Sequence, residues 1–152
     1  MSGADLRPLL DPASVVIIGA TPELGRIGGI PLAGLLAHDF PRERILLVNP
    51  KYQEIEGIRC YPDIASLPWT PDLAIVAVAA RIAIASLWQL DALGVPAAVL
   101  FAAGFGEDPT ESGAELEAGL RAFLAQSAMR VAGPNTMGIA NIREGMSASF
   151  LT

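Results

Sequence analysis

The chain is punctuated by short apolar runs with no polar alternation. Val15–Ile18, Ile45–Val48, residues 73–78 and residues 97–101 each read as a strand buried on both faces, the signature of a parallel sheet. Between them the period changes. Leu32, Leu35 and Leu36 recur at helical spacing, with Pro31 tolerated in a first turn, and that helix is expected to end near His38 and Asp39, before Pro41. A second helix is expected over about 82–93, stopped by Gly94. A third, over about 111–128, is amphipathic through Leu116, Leu120, Phe123 and Leu124, with Glu111, Glu115 and Glu117 suiting its N-terminal half. Residues 130–132 make a fifth strand.

The remaining segments are less regular. Residues 1–13 read as a lead-in that packs Leu6, Leu9 and Leu10 and turns at Asp11 and Pro12. Residues 52–68 connect the second and third strands, with a two-strand excursion around Glu56 and Gly57 and a helical turn over 63–67. The tail from Met137 carries Ile139, Ile142, Met146 and Phe150, apolar enough to want a partner and suited to a chain that continues further.

Strand and helix alternating in this way predict one α/β domain over residues 1–152. The expected architecture is a Rossmann-like, doubly wound parallel sheet in three layers, α/β/α, with right-handed crossovers. Ligands of such sheets lie beyond the carboxyl ends of the strands. The unusual residues gather there, since Gly19, Asn49, Ala79, Ala103 and Gly133 all fall at or just past a strand end. The segment after the first strand reads Gly-Ala-Thr-Pro-Glu-Leu-Gly-Arg-Ile-Gly, with glycines at 19, 25 and 28. Bare glycines let a backbone approach an anion, and the N–H groups that open a helix point toward it, so this loop is a phosphate site. Thr21 stands where a dinucleotide fingerprint has its second glycine, so the ligand need not be NAD. The plainer alternative is a tight turn that packs strand on helix.

Charge sharpens the picture. Lysine and arginine number 10 against 16 aspartates and glutamates, a net charge of −6, and no basic run appears, which argues against a nucleic-acid surface. An acidic chain can still focus a few cations on one cleft. Lys51, the sole lysine, follows the second strand, where NAD-binding units carry an acidic residue for the ribose diol. That exchange favours a phosphorylated ribose; otherwise Lys51 is a solvated turn residue. The single cysteine, Cys60, permits no internal disulfide and reads as a filler or a surface thiol. The N-terminus has no apolar signal region and no run spans a bilayer, so the expected location is cytoplasmic. His38, the only histidine, reads as a helix-end residue, and no metal site is expected.

Taken in order, Ile-Gly-Ala-Thr, Val-Asn-Pro-Lys, Ala-Ala-Gly-Phe and Gly-Pro-Asn-x-x-Gly resemble one family over nearly the whole chain. This is the CoA-binding domain that opens the NDP-forming acyl-CoA synthetases, relatives of the succinyl-CoA synthetase α subunit, and also opens bacterial protein acetyltransferases. The resemblance implies that Gly19, Ala20, Thr21, Gly25, Arg26 and Gly28 hold the phosphates of coenzyme A. It implies that Asn49, Pro50 and Lys51 meet the phosphoadenosine end, and that Val78, Ala79 and Ala80 border the adenosine or pantetheine path. Ala103, Gly104 and Phe105 would lie along pantetheine, and Gly133, Pro134 and Asn135 would support the corner where a neighbouring domain reaches the thioester. Two departures stand out. Thr21 replaces a serine, and Thr136 with Met137 replaces a Cys-Leu or Cys-Pro pair.

In that family a histidine of a second domain carries phosphate from a nucleotide bound by an ATP-grasp domain. This chain carries neither, nor any G-x-x-x-x-G-K-[ST] loop, so no catalytic residue is expected within it and its status as an enzyme in its own right stays open. The expected partners are CoA and the phosphohistidine and ATP-grasp domains or subunits, with a homo-oligomer also possible. Two other readings stay open. One is an NADP-binding oxidoreductase domain, weakened by the glycine spacing; the other is a stand-alone CoA-responsive regulatory module that needs the same pocket.

Overall fold

The computed structural model describes residues 5–149. One sheet of seven strands forms the middle layer. Its order is β3-β4-β2-β1-β5-β6-β7, comprising β1 (Val15–Ile18), β2 (Ile45–Val48), β3 (Glu54–Ile55), β4 (Ile58–Tyr61), β5 (Leu73–Val76), β6 (Ala97–Leu100) and β7 (Arg130–Ala132). All neighbours are parallel except β3, which pairs antiparallel with β4. Chain order reverses at β1, which lies between β2 and β5.

Every residue of β1, β2, β5 and β6 is buried, and successive residues feed opposite layers. Val15, Ile17, Leu47, Ile75 and Val99 pack with Leu32 and Leu35 of α2 (Ile30–Ala37). Val16, Val48, Val76 and Leu100 pack against Leu87 and Leu90 of α3 (Ala80–Leu93) and Phe123 of α4 (Glu111–Gln126). The three-layer, Rossmann-like expectation holds. Gly94 ends α3 in the left-handed region at φ +88°, its N–H returning to Leu90 and Asp91.

Three expectations need correction. The sheet has seven strands, not five. The excursion turns at Glu56 and Gly57, both at positive φ (52° and 75°), as a two-residue hairpin demands. But it does not stand apart: β4 extends the main sheet beside β2. The lead-in forms a short helix, α1 (Arg7–Leu10), that buries Leu9 while Leu6 and Leu10 stay exposed. Within the described residues the tail finds part of its partner in the chain itself. It folds into a second hairpin, β8 (Gly138–Asn141) with β9 (Met146–Ser149), and β9 packs on α2, burying Met146 while Ile142 stays exposed. Phe150 lies outside the described residues.

Candidate functional site

The loop after β1 owes its shape to two glycines that meet. Gly19 has φ +86°, and a Cβ there would fall 2.6 Å from the carbonyl oxygen of Ala77. A Cβ on Gly28 would come 2.0 Å from the carbonyl oxygen of Gly19, so the lead-in to α2 crosses the end of β1 at backbone contact. Gly29 is packed as closely, against the Glu23 carbonyl at 2.2 Å. Gly25 differs: nothing lies within 4 Å of the position its Cβ would take. The three glycines of the motif therefore split into two that pack the loop and one that leaves its outer surface bare.

Hydrogen bonds leave this loop ready for an anion. The N–H groups of Gly19 and Ala20 go to the Val48 carbonyl, Arg26 N–H to Glu23, and Gly29 and Ile30 N–H to Arg26. Among the described residues, the N–H groups of Thr21, Leu24, Gly25, Ile27 and Gly28 have no protein acceptor. The Thr21 hydroxyl accepts from Glu23 N–H at 3.3 Å, and α2 has Gly29 at its N-cap position and so no side-chain cap. Free amides at the mouth of a helix favour a phosphate. Arg26 is paired with Glu23, but both side chains are mostly exposed, so the guanidinium can exchange that carboxylate for a phosphate at little cost.

Asn49 ties the second strand end to this loop. Its side-chain Nδ2 donates to the Ala20 carbonyl at 2.8 Å, while its Oδ1 accepts the Lys51 N–H at 3.0 Å. With both ends of its amide used, Asn49 aligns two loops, and Lys51 rides on the turn it fixes. Beneath it the Cys60 thiol donates to the Asn49 carbonyl, and burial pushes this thiol's pKa up. Of the two readings of Cys60, the filler is correct and the surface thiol is not.

Two clefts open along the carboxyl edge of the sheet and share Val78 as a wall, where the chain order reverses. One, of about 320 Å3, is lined by Gly19, Asn49, Pro50, Asp63 and Ile64, with Ile82, Ser86 and Gln89 of α3 on its far side. The other, of about 520 Å3, lies between the ends of β5 and β6 and is lined by Ala77 to Ala80, Phe101 to Ala103, Ile27 and Asn135 to Met137. Both volumes suit parts of a small-molecule cofactor. Helix α3 begins between them, and Ala79 gives it no side-chain cap, so its first amides also face this edge. The α3 wall is absent from the sequence reading, although 82, 86 and 89 fall at i, i+4 and i+7 on one helix face. Ile27, Asp63 and Met137 are likewise additions.

Not every expected residue reaches a cleft. Val78, Ala79, Ala80, Ala103 and Asn135 line the larger one, and Gly19, Asn49 and Pro50 the smaller. Phe105 is wholly buried in the core against α3 and α4. Gly133 serves packing, since a Cβ would lie 2.4 Å from the Leu100 carbonyl, and Pro134 lines neither cleft. Gly104, at φ +95°, donates its N–H to the Glu107 carboxylate at 2.7 Å, and Phe105 N–H adds a second bond at 3.2 Å.

Those bonds, Gly104 first, hold the Glu107 carboxyl below the usual range. A carboxyl with a depressed folded pKa contributes stability that is complete above its unfolded value, about 4.3, and is lost as pH falls through the lower folded value. Glu107→Gln is therefore expected to flatten the fall in melting temperature between about pH 5 and pH 3, measured by circular dichroism. Identical acid slopes for the two proteins would contradict the assignment.

Among the described residues no cluster of His, Cys, Asp or Glu could hold a metal ion, and no helix is long and apolar enough to cross a membrane.

Comparison with known proteins agrees with this geometry. The chain is 36% identical over 146 residues to an ADP-forming acetate–CoA ligase II of Archaeoglobus fulgidus, covering 96% of this chain and 21% of that protein. It is 29% identical over 142 residues to the α subunit of the ADP-forming acetate–CoA ligase II of Pyrococcus furiosus, covering 93% and 30%. Among solved structures, acetyl-coenzyme A synthetase 1 of Ca. Korarchaeum cryptofilum, in complex with phosphate and ADP, superposes with a TM-score of 0.85 at 29% identity, covering 97% of this chain and 31% of that one. The chain thus spans about a fifth of the A. fulgidus protein's length and under a third of the other two. The family described as CoA binding domain matches residues 13–142, which sets aside the NADP reading. With a glycine loop of free amides and two adjoining clefts at the reversal of the sheet, this chain belongs to the CoA binding domain family, and its ligand is coenzyme A.

Proposed function

We propose that the chain is the CoA-holding part of an NDP-forming acid–CoA ligase. The histidine that carries phosphate and the ATP-grasp unit that loads it would be supplied by other domains or subunits, and the whole would work in the cytoplasm. The observation that carries this reading is the pairing of free loop amides with two clefts that meet at Val78. Bound CoA supplies a thiol to accept an acyl group. The residues of this chain bind and aim it. Amides of the 19–28 loop and Arg26 take phosphate charge; Lys51 takes the ribose phosphate; the smaller cleft takes the adenosine end and the larger one the pantetheine end. None of these groups need move a proton, because positioning alone can supply a large share of the rate.

Calorimetry on the chain tests this. CoA is expected to bind, dephospho-CoA to bind more weakly, and NADPH and ATP to compete poorly. Lys51→Ala should remove most of the CoA advantage over dephospho-CoA, a charge-assisted contact on the order of 1.5–3 kcal/mol. Equal affinity of the wild type for CoA and dephospho-CoA would refute the role of Lys51. A reading frame or gene neighbour that encodes a histidine-bearing domain supports the ligase over a stand-alone regulatory module.

A further inference from the structure

We infer that the cleft between the β2–β4 wing of the sheet and Trp69 is a second ligand site, which takes a small aromatic carboxylate and works apart from the coenzyme A clefts. It opens near the amino ends of β2 and β4, about 290 Å3 in volume, and shares no lining residue with the two clefts of the carboxyl edge. Leu46 and Ile58, both buried, give it an apolar floor. Tyr61 and Trp69 add aromatic walls, and Arg42 and Arg59 add positive charge. Trp69 is 38% exposed, a large aromatic side chain left partly uncovered in a concave place.

The two arginines are set for an outside anion. Arg7, Arg26, Arg81 and Arg121 form ion pairs with carboxylates of the chain, whereas among the described residues Arg42 and Arg59 have no carboxylate partner. This holds although Glu54 stands directly opposite Arg59 in the β3–β4 hairpin. The Arg59 guanidinium lies over the Tyr61 ring instead, its central carbon 5.1 Å from the ring centre. Arg42 donates through Nη1 to the Glu56 carbonyl, which steadies the guanidinium and leaves its other N–H groups for a ligand. Arg44 turns away to the Ala13 carbonyl and does not line the cleft. Trp69 is held in a stiff loop: Pro68 and Pro71 restrict the backbone, and the Thr70 hydroxyl donates to the Leu93 carbonyl at 3.0 Å. Side chains fixed beforehand lose little freedom on binding.

These parts select a class of ligand. An arginine fork matches a carboxylate, and the two aromatic rings and the apolar floor gain by being covered with a flat apolar body. The volume falls just below the roughly 300–1,000 Å3 usual for ligand pockets, which suits one or two rings. Glu43 also lines the cleft, so two positive charges face one negative, and Glu54 stands beside Arg59. One ligand charge is balanced there. A second would meet these carboxylates, so the cleft favours a monoanion over a phosphate dianion.

The test titrates the 152-residue chain with 1-naphthoate, its neutral amide 1-naphthamide, and 1-naphthyl phosphate, read by nuclear magnetic resonance at the indole signals of the two tryptophans. 1-Naphthoate is expected to bind in the submillimolar range and to shift the Trp69 signal while Trp88 stays in place. The amide should bind roughly tenfold more weakly. The phosphate, doubly charged above its second pKa of about 6, should bind no more tightly than the carboxylate. Arg42→Gln, Arg59→Gln and Trp69→Leu should each weaken 1-naphthoate by roughly fivefold or more. All three side chains are exposed, and the backbone amide spectrum of each variant checks its fold. Saturating CoA should leave the 1-naphthoate affinity unchanged, and the variants should bind CoA as the wild type does. Equal affinity for acid and amide, a shift at Trp88 in place of Trp69, or wild-type affinity in all three variants overturns the site. Tighter binding of the phosphate overturns its ligand class. Displacement of 1-naphthoate by CoA would place the acid at the carboxyl edge and overturn the separate site while leaving the CoA-holding reading intact; a chain that takes 1-naphthoate as described but no CoA would overturn that reading and leave this site standing.

Discussion

Gly28→Ala is expected to lower the melting temperature by roughly 5–10 °C and to weaken CoA binding at the same time. The added methyl carbon would sit 2.0 Å from the carbonyl oxygen of Gly19, and the neighbouring atom on that side is backbone, which cannot rotate away. Either β1 or the start of α2 must shift. Overpacking of this kind costs about 2–3 kcal/mol. The same shift moves the free amides of the loop relative to the end of β5, so stability and affinity fall together. Thermal denaturation and a CoA titration of the variant check this; a variant with unchanged melting temperature would mean the crossing is looser than described.

Gly25→Val should separate the two effects. No atom lies near the Cβ position, and Gly25 is not among the residues at positive φ, so the fold should keep its melting temperature within a degree or two. The isopropyl group would occupy the space through which a phosphate reaches the loop. Losing one or two charge-assisted bonds to phosphate is expected to reduce CoA affinity on the order of a hundredfold. A stable variant that binds CoA as the wild type does would move the phosphates off this loop. Taken together, the pair distinguishes a glycine that packs from a glycine that makes room.

The contrast also shows what a sequence can tell. Val15–Ile18 and its counterparts were legible because strands buried on both faces have no polar side to confuse the pattern. The glycines marked the loop, but their spacing could not say which one packs and which lies open; that depends on the crossing of β1 and α2. Strand β4 was hidden as a sheet member because it alternates, with Ile58 and Cys60 buried and Arg59 exposed, as a detached hairpin would. The hairpin under α2 was hidden for another reason. Its buried residues include Ser147 and Ser149, small polar side chains that suit a close approach, with Gly34 leaving just 3.1 Å between a would-be Cβ and the Ser147 hydroxyl. An apolar count cannot see such a contact. The same holds for the α3 side of the smaller cleft, where Ile82, Ser86 and Gln89 share a face but not a polarity. Phe105 stood in a turn beside the site and was read with it, yet its ring completes the core.

A crystal structure of the chain with coenzyme A decides whether the 19–28 loop holds its phosphates. Phosphate oxygens are expected within hydrogen-bond reach of at least two of the free amides of Thr21, Leu24, Gly25, Ile27 and Gly28, with Lys51 turned to the ribose phosphate and the pantetheine arm passing Val78 into the larger cleft. Coenzyme A bound at the opposite edge of the sheet, or density along Val78 with the 19–28 amides left bare of phosphate, would contradict it.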